Sequence, residues 1–281
     1  MPEKISFILS TGRTGTKTLA EGLSGKDIKS PHQPPFSRLI TIASHYYLHG
    51  WLPLKLLTWI IKTIREPQIQ NSDCHHYVQV FAFDYFPAKI FSEKYPNVHM
   101  VHIIRDPRDF VYSYLNWMHS RFKSFVANKI VLGWHPSGFF TGTFSRQEWN
   151  RLDEFQRVCW QWTYKNTLIE NLFEDDPRYL RVRFEDLLLA DNTETLHKLL
   201  SFLGIEYQER FNLIVKKPKN VSKKGYFPTW EQWTPKRCAQ LNELCHPLMK
   251  QLGYGQGTQW KKKVKAGAEN NPDLFEEEGL E

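Results

Sequence analysis

Cysteine is scarce in this 281-residue chain: Cys74, Cys159, Cys238 and Cys245 are the only four, and no two of them form a C-x-x-C pair. That spacing offers neither a zinc site nor a redox dithiol, and four thiols in so long a chain make no disulfide framework, so buried or spare thiols are expected. Long apolar runs are missing too. The most hydrophobic stretch, within residues 46–64, is short and interrupted by Lys55 and Lys62, which excludes a bilayer span. Lys55, Thr58 and Lys62 share one helical face, so a buried helix or lid is favoured over a helix lying on a membrane, with a peripheral membrane contact left open. There are no internal repeats and no zinc-finger, RNP or heptad pattern, and the basic residues are scattered, so nucleic acid is not the expected partner.

What the chain does carry is positive charge and one unusual loop. The net charge is +7, and because 268–281 holds six acids and no bases, the rest carries +13, which suits an anionic ligand. With 41% hydrophobic residues the chain can bury one large core; one domain over 1–260 is expected, with 261–281 as a charged, solvated tail. The opening Met1-Pro2-Glu3-Lys4 runs straight into an apolar segment, leaving no room for a secretory signal and predicting a cytoplasmic protein.

That apolar segment, Ile5-Ser6-Phe7-Ile8-Leu9, reads as a strand, followed by Ser10-Thr11-Gly12-Arg13-Thr14-Gly15-Thr16-Lys17-Thr18-Leu19 as a tight loop and helix start. A loop of this kind aims backbone N–H groups and a helix dipole at one point, which suits a phosphate or sulfate. Arg13 and Lys17 add charge, Thr14, Thr16 and Thr18 add hydroxyls, and Gly12 and Gly15 permit positive φ. The loop is neither a P-loop, since Thr16 separates Gly15 from Lys17, nor a G-x-G-x-x-G turn. A second strand, Val98–Ile104, runs into Arg105-Asp106-Pro107-Arg108, with Asp106 a good N-cap and Pro107 a good first helical residue. Ser113 then falls about two helical turns beyond Arg105, close enough for both to grip one anion.

The spacing G-R-T-G-T-K-T-L resembles the 5′-phosphosulfate loop of sulfotransferases that use 3′-phosphoadenosine 5′-phosphosulfate (PAPS), and strand–R-D-P-R-x-x-x-x-S resembles their 3′-phosphate site. Weaker likenesses follow in the family's order: Arg181–Leu188, Phe202-Leu203-Gly204, then Val221-Ser222-Lys223-Lys224-Gly225 with Trp230 and Trp233. The resemblance implies a P-loop NTPase-like α/β fold, three layers around a central, mainly parallel sheet. It implies sulfuryl transfer from PAPS, leaving PAP, to a hydroxyl of a carbohydrate, lipid or other small molecule, with no metal. Arg13 would be the catalytic cation. Arg13, Thr14, Gly15, Thr16, Lys17 and Thr18 would hold the 5′ side, and Arg105, Ser113, Lys223 or Lys224, and Gly225 the 3′-phosphate.

For the base, His32 in Pro31-His32-Gln33-Pro34 resembles the family's "HEP" turn, with Gln33 replacing the carboxylate; His75, His76, Asp84 and Glu66 stand in reserve. Residues 123–150 lack periodicity and read as a substrate-covering loop, and Cys159–Asn166 as the core face of a long helix. The competing readings are a P-loop-like kinase and a non-catalytic nucleotide- or membrane-binding protein of the same fold.

Overall fold

The computed structural model describes residues 1–120, 133–190, 192–212 and 227–269. Five parallel strands form one sheet among them: β1 (Lys4–Ser10), β2 (Ile28–Lys29), β3 (His76–Val80), β4 (Val98–Ile104) and β5 (Tyr179–Arg183), in the order β2-β3-β1-β4-β5. The apolar runs of β1 and β4 reflect burial on both faces, as expected of central parallel strands. The period of two sorts their side chains. Ile8, Val78, Val101 and Val182 face α1 (Thr16–Leu23), while Ile5, Phe7 and Leu9 pack with α2 (Ser37–Leu48), α3 (Leu54–Gln70) and α4 (Tyr85–Lys94). The result is the three-layer, P-loop-like α/β architecture.

Beyond β4 come α5 (Pro107–His119), α6 (Arg146–Arg151) and α7 (Glu154–Phe173), then α8 (Phe184–Leu188) and α9 (Glu194–Leu203) after β5. The C-terminal part adds α10 (Pro235–Gln251) and α11 (Thr258–Glu269), which join α5 and α7 in a cluster around Trp162, Trp233 and Trp260. Helix α5 starts as its sequence dictates: the Asp106 side chain accepts the Arg108 backbone N–H at 2.9 Å, with Pro107 at the first helical position.

Two expectations need correction. The basic run from Lys261 keeps Lys261, Lys262 and Lys265 exposed but is helical as far as residue 269. It belongs to α11, anchored by buried Trp260 and by Gly267, where a Cβ would fall 2.1 Å from the Pro235 carbonyl oxygen. Within 46–64 the chain forms the end of α2, a turn at Gly50 and the start of α3, not one buried helix; α3 buries Leu57, Ile61, Arg65 and Ile69 but exposes Leu54, Leu56 and Trp59. No helix among the described residues is long and apolar enough to cross a membrane. All four cysteines are free thiols.

Candidate active site

In a sheet of order 2-3-1-4-5 the chain leaves β1 and β4 toward opposite sides, so a crevice opens at the carboxyl ends of these neighbours. Both anion-binding segments read from the sequence lie there. After β1 the loop turns through Gly12 at φ 93°, Arg13 at φ 59° and Gly15 at φ 70°. Gly15 is demanded twice: a Cβ would meet Leu188 Cδ1 at 2.3 Å, and the backbone is left-handed. The Phe184–Leu188 turn of α8 therefore packs directly on the loop. Among the described residues helix α1 has no side-chain cap at Gly15, and a helix terminus of this kind suits an anion.

Arg13 adopts a left-handed backbone that costs about 1–2 kcal/mol for an L-residue. Its neighbours hold it there. Arg13 Nε donates to Ser113 Oγ at 3.1 Å, its guanidinium lies 5.7 Å from the Trp117 ring centre, and its carbonyl accepts from Arg105 at 2.8 Å. Arg105 stacks 4.5 Å above Phe184, and among the described residues its buried Nε has no hydrogen-bond partner, nor has Thr11 Oγ1. Glu185 ties the junction together by accepting from the Asp106 N–H at 2.9 Å and the Tyr254 hydroxyl at 2.8 Å. Arg105 and Ser113 thus both contact Arg13, one at its carbonyl oxygen and the other at its side chain.

A cavity of about 410 Å³ opens beside the loop. Its lining has a basic wall, Arg13, Thr16, Lys17 and His32, and an aromatic wall, Phe83, Tyr114, Trp117, Trp134 and His135, which meet where Arg13 packs on Trp117. His32 reaches the carboxyl edge through a parallel bridge to Val80, and its Nε2 lies 3.3 Å from Thr16 Oγ1. Burial, and then the Lys17 charge, lower its pKa below the ordinary histidine value.

The reserve bases lie elsewhere. His75 pairs with Glu3 at 2.8 Å, and buried His76 meets Ser6 Oγ at 2.8 Å, both at the amino end of the sheet because β3 begins at residue 76. Asp84 is wholly buried, 3.7 Å from Arg65 and bonded to Gln79; burial pushes its carboxyl up to about 6. Glu66 is taken by Lys94 and Tyr95. Lys223, Lys224 and Gly225 lie outside the described residues. Among the described residues no cluster of three or more side chains is suited to hold a metal ion.

The sequence reading of 123–150 as a substrate-covering loop did not single out His135, Tyr114 or Lys165. His135 Nε2 lies 2.6 Å from the Tyr114 hydroxyl, its Nδ1 lies 3.3 Å from Lys165 Nζ, and that nitrogen sits 4.6 Å from the Phe83 ring centre. One signal was available: Trp162, Lys165, Asn166 and Ile169 form a helical stripe that is buried throughout, and a lysine is out of place in it.

The chain matches the sulfotransferase domain family over residues 3–266. It belongs to the sulfotransferase family. No curated protein sequence matches it. Among solved structures, the sulfotransferase domain from the curacin biosynthetic pathway is 15% identical, with TM-score 0.50, covering 90% of this chain and 98% of that one. A sulfotransferase from Alicyclobacillus acidocaldarius is 12% identical, with TM-score 0.50, covering 93% of this chain and 99% of that one. Both share its fold. The sulfotransferase architecture therefore spans the whole length over which the loop, the Arg105 segment and the cavity are assembled.

Proposed function

We propose that this sulfotransferase moves the sulfuryl group of PAPS to a hydroxyl of a small-molecule acceptor held in the 410 Å³ cavity. What supports this reading is that two segments suited to anions meet at one crevice: the α1 N-terminus, without a side-chain cap among the described residues, with Lys17, and Arg105, whose buried Nε has no hydrogen-bond partner among the described residues and which contacts Arg13, as Ser113 does. PAP and PAPS carry two separate anionic groups, at the 5′ and 3′ positions. The N–H groups of Thr16, Lys17 and Thr18, with Gly15 allowing close approach, would hold the 5′ group, and Arg105 and Ser113 the 3′-phosphate. Lys223, Lys224 and Gly225 would add to the 3′ side.

Sulfuryl transfer requires an acceptor oxygen in line with the breaking S–O bond, neutralisation of the charge left on the phosphate oxygen, and a destination for the acceptor's proton. Arg13 is the cation for that charge. Held before the reaction by Ser113 and Trp117, its guanidinium needs no reorganisation as charge grows, an effect of about 10²–10³ in rate for a comparable preorganised donor. His32, bonded to Thr16 and beside Lys17, would stand at the donor end of the cavity and orient the sulfuryl group. The aromatic wall suits a phenol, a sugar ring or the hydroxyl end of a lipid.

The test is a thermal-shift and calorimetric titration. PAP should bind with submillimolar affinity and raise the melting temperature without added metal. A shift with ATP and magnesium but none with PAP would replace this reading with the kinase.

A further inference from the structure

We propose that Tyr114, His135 and Lys165 form a proton relay that deprotonates the acceptor hydroxyl from the aromatic wall of the cavity. The inference rests on the donor reading above and assigns that same cavity its acceptor side.

Geometry carries it. In-line displacement requires the acceptor to enter from the side facing away from the leaving phosphate. His32 is bonded to Thr16 and lies beside Lys17, where the donor's 5′ group is held, so it sits at the wrong end for that proton. Tyr114 and His135 belong to the aromatic wall of the same cavity, away from Thr16 and Lys17 in the chain and open to an acceptor. Behind them the contacts are continuous, 2.6 Å from the Tyr114 hydroxyl to His135 Nε2 and 3.3 Å from His135 Nδ1 to Lys165 Nζ. Three segments distant in the chain supply them: α5, the 133–145 segment and α7. Lys165 is 1% exposed and meets no carboxylate among the described residues, only His135 and the Phe83 ring. A buried amine so placed is a poor structural anchor, because burial disfavours its charge.

The same burial lowers the Lys165 pKa to about 7, so neutral amine is available near neutral pH. The groups facing it are His135 from the 133–145 segment and His45 from α2; Tyr114 stands beyond His135, within the influence of Glu154 and Arg13. Burial and then the Lys165 charge push His135 well below the ordinary histidine range, which keeps the imidazole neutral and able to pass a proton on.

The step balances. The acceptor oxygen forms a bond to sulfur, the bond from sulfur to the phosphate oxygen breaks, and its electron pair leaves with the phosphate. The acceptor proton goes to the Tyr114 oxygen as the Tyr114 proton moves to His135 Nε2 and the His135 Nδ1 proton moves to the Lys165 amine. Lys165 ends as ammonium and returns its proton to solvent between turnovers.

Two measurements test the relay. In the first, sulfuryl transfer from labelled PAPS to 2-naphthol, and to water without it, is followed from pH 5.5 to 9 in wild type, Lys165→Met, His135→Gln and His32→Gln. The wild-type rate should rise with pH through neutrality. Lys165→Met and His135→Gln should lose roughly 10²-fold in turnover and the rising limb, with PAP affinity unchanged. His32→Gln should keep the limb. A limb lost in His32→Gln and kept in Lys165→Met would overturn the relay and return the role to His32. The second uses ligand-free wild type, so it does not depend on the donor or on any variant folding. The 15N signals of His135 should switch from the Nε2–H to the Nδ1–H tautomer as Lys165 loses its proton near pH 7. A tautomer unchanged from pH 6 to 9 overturns the relay; a wild type that neither binds PAP nor moves sulfate overturns the donor reading instead.

Discussion

The two walls of the cavity are built in different ways. The donor wall is mostly local: ten consecutive residues, Ser10–Leu19, supply the loop, its two glycines, Arg13, Lys17 and the helix N-terminus, and His32 joins them from beyond β2. The acceptor wall is assembled at a distance, with Phe83 after β3, Tyr114 on α5, His135 from the 133–145 segment and Lys165 on α7. A wall that grips phosphate needs backbone N–H groups in one turn, so its requirements fall on adjacent residues and make a motif. A wall that shapes itself to an acceptor needs only side chains of suitable size, and any part of the chain can deliver them.

Substitutions on each wall should fail differently. The largest effect is expected at Arg13: Arg13→Ala should cut turnover by about 10²–10³ while PAPS affinity changes little, because its contact strengthens as charge develops. Steady-state kinetics with PAPS as varied substrate checks this, and an equal loss in PAP binding would make Arg13 a simple binding residue. Arg105→Ala should act on affinity instead, weakening PAP by about 2–3 kcal/mol, the scale of a lost charge-assisted contact. Calorimetry reads that directly.

Much of the donor wall was legible because each requirement leaves a local mark. Gly15 has positive φ and closes against Leu188, the Asp106-Pro107 pair starts α5, and Arg105 follows the strand whose apolar run reads as buried. The helix Thr16–Leu23 and the long helix through Cys159–Asn166 were legible for the same reason. His75, His76 and Asp84 misled because strand direction and tertiary pairing decide which end of β3 they occupy and which partners bury them. Trp260 shows the same limit, since the lysines that follow it read as a tail, whereas its burial against the fold anchors them in a helix on which Lys261, Lys262 and Lys265 stay exposed. His135 and Lys165 are separated by 30 residues, and only packing of the 133–145 segment on α7 makes them neighbours.

The walls also differ in what they do to stability. Gly15→Ala should lower stability by about 1–3 kcal/mol, from overpacking against Leu188 and a strained left-handed backbone, and should weaken PAP as well. Denaturant unfolding checks the first part. Lys165→Met should do the opposite. Lys165 titrates near pH 7 when folded and near its ordinary higher value when unfolded, so between these the unfolded chain binds the extra proton. Wild-type stability relative to the methionine variant should therefore rise as pH climbs from 7 toward 10. The variant should melt higher at neutral pH, with the gap narrowing as pH rises; a lower melting point at pH 7 would mean that the amine is structurally required. A residue that destabilises the fold yet lines the route to a cavity fits a functional origin for that strain.

The account depends most on two anion sites reading one nucleotide, and a paired titration tests that claim. PAP and adenosine 5′-monophosphate, which lacks the 3′-phosphate, are titrated by calorimetry into wild type and Arg105→Ala. Wild type should bind PAP at least 30-fold more tightly than the monophosphate, the scale of a charge-assisted contact of about 2 kcal/mol, and Arg105→Ala should erase most of that difference. Equal affinity of wild type for both nucleotides, or a preference for PAP that survives in Arg105→Ala, would contradict it.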